Sequence, residues 1–183
     1  TARILSLAII AVSALAFAGC AASTPAPADT AAATATPPSD TAIVTDAPCV
    51  GDEGVTLVVD AQVIDGGEPG TWCVPTEGEI IGADVVAAAG IETVGTTECP
   101  DLIVCRVDGV PAADVELVSA DGTVVTESCE SMPPAFAYWS LWVKPAGAEW
   151  EYAMEGLATQ PLAPGDSLAL LFQLNGEPAL PTH

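Results

Sequence analysis

Residues 133–152 read PPAFAYWSLWVKPAGAEWEY, and their alternation decides the fold. The chain is only 5% aromatic, yet both tyrosines and three of the four tryptophans lie between Tyr138 and Tyr152. Tyr138 to Val143 and Trp150 to Met154 are rich in β-formers and flank the turn-forming Pro145-Ala146-Gly147, which predicts a pair of antiparallel strands. Along a strand successive side chains point to opposite faces, so Tyr138, Ser140 and Trp142 share one face and Trp139 and Leu141 the other. Trp150 and Tyr152 share a face on the second strand. The reading expects Trp139 and Leu141 to pack in the core. It expects Tyr138, Trp142, Trp150 and Tyr152 to form a partly exposed row, a candidate ligand platform.

Further strands surround this pair. Gly54 to Asp60 is a β-branched apolar run ending ahead of Asp65-Gly66-Gly67. Leu102 to Val107 ends in the turn signal Asp108-Gly109, and Val115–Val118 and Thr123–Thr126 flank Asp121-Gly122 as a hairpin. Ser167 to Leu174, after Pro164-Gly165-Asp166, is read as the strand that closes the sheet. One helix is expected over Ile80–Gly90. Ile81, Val85, Ala88 and Ala89 form its apolar face, Thr76 and Glu79 stand at capping-box spacing, and Gly90 ends it. The expected class is α+β, one short helix packed on a mainly antiparallel sheet.

Upstream, residues 1–19 have the layout of a signal peptide: Arg3, an apolar run from Ile4 to Phe17, then Ala18-Gly19 before Cys20. As a helix that run would reach about 21 Å, short of a hydrocarbon core of about 30 Å. The ending Phe17-Ala18-Gly19-Cys20 resembles a bacterial lipobox, which implies lipidation of Cys20 and an anchor on the outer face of the cell membrane. Residues 20–48 are nearly all Ala, Thr, Pro, Ser and Asp, a composition that reads as a disordered tether with a span of roughly 30 Å. Residues 49–183 are then read as one domain.

Charge and residue content exclude several function classes. The chain carries 25 Asp and Glu against 3 Lys and Arg, a formal net charge of −22. Such a surface repels phosphate backbones, so nucleic acid is not expected as a partner, and the membrane is reached only through the lipid. The single histidine is the last residue, His183, which leaves no Ser-His or Cys-His pair. With so many carboxylates, chance proximity is expected and solvated surface is the reading. No catalytic residue, cofactor or metal site is expected. Cys49, Cys73, Cys99, Cys105 and Cys129 include no CxxC pair, so in an exported domain they read as disulfide formers with one left over.

The order of motifs resembles the transcobalamin-like C-terminal domain family, long catalogued in bacteria as a domain of unknown function. The pieces are VTLVVD, a helix ending AAG, VCRVDGVPA, a cysteine ahead of PPAFAYWSLW, W-x-Y and PGDSLALLF, spanning about Val55 to Phe172. Cys105 to Ala112, Pro133-Pro134 and Ala137-Tyr138-Trp139 are the most specific of them. The resemblance implies that Cys105 pairs with Cys129, as in members carrying both; Cys49 is paired with Cys73, leaving Cys99 over. It also implies capture of a corrinoid or similarly large small molecule. No counterpart of the helical barrel that completes the site in vertebrate carriers is read in these residues. A non-catalytic adhesion or envelope-scaffold domain, docking an envelope protein, is the alternative. The insert Asp114–Glu127 is expected to project at one end of the sheet.

Overall fold

Residues 44–181 are described by a computed structural model; Cys20, the signal peptide and the tether up to Ile43 lie outside them. The elements in chain order are β1 (Gly54–Asp60), β2 (Gly70–Pro75), β3 (Ile80–Ile81), α1 (Gly82–Ala88), β4 (Thr93–Gly95), β5 (Val104–Val107), β6 (Leu117–Val118), β7 (Val124–Val125), β8 (Ala137–Lys144), β9 (Glu151–Tyr152), β10 (Pro161–Leu162) and β11 (Ser167–Leu174). Five strands form the main sheet in the order β2-β1-β11-β8-β9. The α+β class stands, with a very small helical share.

The sheet is mixed. β11 runs parallel to β1 and antiparallel to β8, so it occupies the centre and does not close the sheet. Its composition explains the place: Leu168 to Gln173 is buried without a break, as a strand covered on both faces must be. The alternation expected of β8 holds. Trp139 faces the main core with Val55, Leu57, Val85, Val86, Leu168, Leu170 and Phe172. Trp142 joins Val58, Ala169 and Leu171 in a smaller cluster on the opposite face.

The helix is shorter than expected, and its start is held differently. Ile80 and Ile81 pair with β10, so the helix begins at Gly82, and no side chain caps it. Main-chain carbonyls do so instead: Gly82 N–H donates to Gln160 O at 2.8 Å and Ala83 N–H to Leu157 O at 2.9 Å. Thr76, the expected cap, bonds the main chain of Gly78 in a local turn. Gly82 lets this loop approach, since a Cβ there would stand 3.2 Å from Leu157. The buried face is Gly82, Val85 and Val86, with Ala88 exposed. Gly90 does end the helix, at φ +77°.

Two disulfides, Cys49–Cys73 and Cys105–Cys129, join the expected partners and leave Cys99 free. They fit an oxidising, extracytoplasmic compartment. Upstream of Cys49, Thr45 exchanges main-chain hydrogen bonds with Cys73 at the outer edge of β2. The insert does not project freely. Leu117 is buried, and the Asn175 side chain bonds both Ala120 N–H and Val118 O. Among the described residues no helix is long and apolar enough to cross a membrane.

Candidate ligand-binding surface

The aromatic residues divide into a core anchor, a buried stack and an exposed margin. Trp139 is 8% exposed, meets Phe172 edge-on at 5.4 Å, and donates its indole N–H to Val110 O at 3.0 Å. This matches the core position expected for it. Trp142 departs from expectation: it is 5% exposed and not an open platform ring. Tyr152, its cross-strand neighbour, stacks on it with centroids 3.8 Å apart and planes 28° apart. Trp150 packs against the same cluster, and Lys144 Nζ stands 5.8 Å from its ring centroid.

A short polar network makes that burial tolerable. Trp142 Nε1 donates to Ser140 Oγ at 2.9 Å, Ser140 Oγ donates to Leu171 O at 3.0 Å, and Gln173 Nε2 donates to Ser140 Oγ and to Pro178 O. A buried indole N–H left unpaired would cost about 1–3 kcal/mol, and here it is paired. Space for the ring comes from Ala169, which faces Trp142 across the ladder within an otherwise Leu-rich strand. Tyr152 remains 51% exposed, and Tyr138 and Trp150 are half-buried. Partial burial pushes the Tyr152 phenol above its ordinary pKa, and a hydrogen bond with Tyr138 adds to the rise. The predicted row thus survives as Tyr138, Trp150 and Tyr152, with Trp142 beneath it.

Beside this row lies a groove that sequence reasoning missed. One cleft of about 240 Å³ is walled by Leu102, Ile103, Tyr138, Leu141, Tyr152 and Leu157. A second, of about 350 Å³, is walled by Ile103, Met132, Pro133, Ala135, Tyr138 and Trp139. The shared Ile103, Tyr138 and Trp139 make them one apolar groove along the outer edge of β8. Met132 is 66% exposed and Leu102 61%, although each directly follows a polar run, Cys129-Glu130-Ser131 and Cys99-Pro100-Asp101. Large apolar residues in such loops are the signal that could have found the groove. A separate cleft of about 310 Å³ opens at the end of the sheet between Glu68, Trp72 and Asp108, with Trp139 as part of its floor. Gly70 is required there, because a Cβ would stand 2.0 Å from the Trp72 ring.

Cys49, Glu53 and Cys73 are close enough together to hold a metal ion, but the two cysteines are bonded to each other and offer no thiolate. Arg106 is fully engaged, its guanidinium bonding Pro111 O, Glu127 O and Cys129 Sγ. Comparison with protein-family models, curated proteins and solved structures finds no match to this chain.

Proposed function

We propose that this is a non-catalytic binding module, held at the bacterial cell surface by a lipid on Cys20, that docks an envelope protein. The observation that carries the reading is the apolar groove beside the half-exposed tyrosines on the outer edge of β8. Of the two ligand classes that the resemblance to transcobalamin-like domains brings forward, the geometry favours the protein. A flat corrinoid needs a broad ring platform, and the central ring, Trp142, lies under Tyr152.

The immobilised protein should retain an envelope protein, and Met132→Lys should abolish that retention. Val50→Lys, at a site that is 78% exposed beside the opposite edge of the sheet, should not. Absorbance and calorimetric titrations with cobalamin and cobinamide should show no saturable change. Stoichiometric corrinoid binding would replace this reading with small-molecule capture.

The anchor has its own test. The apolar run ending Phe17-Ala18-Gly19-Cys20 motivates it, and Cys20→Ser should move the protein from the membrane fraction into the medium. A variant that stayed with the membrane would require a different attachment.

A further inference from the structure

We infer that the open half of β8 takes an extended, cationic segment of a partner protein, which adds to the sheet as a strand at Trp139. The inference rests on the binding-module reading and names its mode and the chemistry of its ligand.

Three observations carry it. The first concerns the sheet's edges, because an edge strand presents unpaired N–H and C=O groups that template another strand. On the β2 edge Thr45 exchanges both main-chain bonds with Cys73, and the strand ends in Pro75, which has no N–H to offer. The β8 edge is covered by β9 only at Trp142 and Val143, with one further bond from Ala153 N–H to Leu141 O. At its other end Ala137 N–H is taken by Pro134 O. In an antiparallel ladder the two main-chain groups of a residue point to one side and alternate along the strand. The outward residues are therefore Ala137, Trp139, Leu141 and Val143. Among the described residues, no strand pairs with Trp139 on that side.

The second observation is the groove itself, which runs past Trp139 and can seat alternate apolar side chains of an added strand. The third is charge. Glu155 lines the groove, and two further exposed carboxylates stand next along the chain from its walls, Asp101 before Leu102 and Glu130 two residues before Met132. The described residues contain two cations: Arg106 is engaged by Pro111 O, Glu127 O and Cys129 Sγ, and Lys144 lies at the Trp150 end of β8. A strand carrying Lys or Arg at the positions that face away from the groove complements this rim. The same argument disfavours a second copy of this chain, since each carries a net charge of −22.

The test uses the full chain carrying Cys20→Ser and two pools of short capped peptides. In both pools every second residue is Val, Ile, Phe or Tyr; the alternate residues are Lys in one and Glu in the other. The readout is the Trp139 amide, by chemical shift and hydrogen exchange. The Lys pool should shift this amide saturably and slow its exchange about tenfold or more, with weakening as ionic strength rises. The Glu pool should leave it unchanged, and a Lys pool N-methylated at alternate residues should lose the effect. Met132→Lys should lose it too, with near-ultraviolet circular dichroism unchanged. The inference is overturned if neither pool slows Trp139, if the Glu or N-methylated pool works equally well, or if the amide is protected by self-association. In the first case, Met132-dependent retention of an envelope protein would leave the binding-module reading standing, and its loss as well would remove both.

Discussion

Trp142→Ala is expected to destabilise the protein by about 3–5 kcal/mol, as much as Trp139→Ala, although the two rings lie on opposite faces of one strand. For Trp139 the reason is a filled core site. Its ring meets Phe172 edge-on and its N–H shares Val110 O with the Val107 N–H, so truncation leaves a cavity beneath the sheet's main face. For Trp142 the ring is the floor of the second face. Val58, Ala169 and Leu171 pack below it and Tyr152 stacks above, so removal exposes both layers to water. An aromatic pair of this kind adds about 0.5–1.5 kcal/mol beyond the area buried. Tyr152→Ala, at a half-exposed site, should cost clearly less. Urea unfolding of the three variants checks the order. A Trp142→Ala loss under about 1 kcal/mol would mean that its face is an open platform after all, and would return the ring to the candidate ligand site.

This contrast locates what sequence can reveal. The period-two pattern of Tyr138–Trp142 was enough to divide the rings between faces, because alternation is a local property of extended chain. Burial of a face is not local. It depends on what lies across the ladder, and Ala169 opposite Trp142 is brought there only by the pairing of β11 with β8. The central place of β11 was legible in principle, since its unbroken apolar run suits a strand covered on both sides. The helix start was not. Its capping carbonyls come from Leu157 and Gln160, on a loop far along the chain, while Thr76 and Glu79 offered a plausible local signal that folding leaves unused. The Asp108-Gly109 turn was legible because both residues take positive φ, 48° and 76°, as the tight hairpin between Val107 and Val110 requires. The groove on β8 was hidden for a geometric reason. Its walls come from the loop at Leu102–Ile103, the loop at Met132–Pro133, the strand edge and the segment from Tyr152 to Leu157, four segments that no sequence period links.

Replacing Cys105 and Cys129 together by Ser should destabilise the protein by about 3 kcal/mol, the chain-entropy value for a bridge with a sequence separation of 24. The consequence reaches beyond the closed loop, because Arg106 is framed by the same bridge. Its guanidinium spans Pro111 O, Glu127 O and Cys129 Sγ, and so joins the end of β5 to the segment leading into β8. Without the bridge those two segments separate more easily, and amide exchange in the β4–β5 ribbon should rise ahead of that in the five-stranded sheet. The double variant is the informative one. Thr97 N–H donates to Cys129 O and Glu98 N–H to Glu130 O, which holds the segment ending at Cys99 beside Cys129. A Cys105→Ser single variant therefore leaves the Cys129 thiol close to the free Cys99, and after folding with glutathione disulfide, which is reduced to two glutathione thiols, peptide mapping should find a Cys99–Cys129 bridge in part of that sample. In the double variant no such rescue exists. A loss of unfolding free energy under about 1 kcal/mol there, from urea titration, would assign the stability of this end of the sheet to Arg106 and Trp139, with the disulfide adding little.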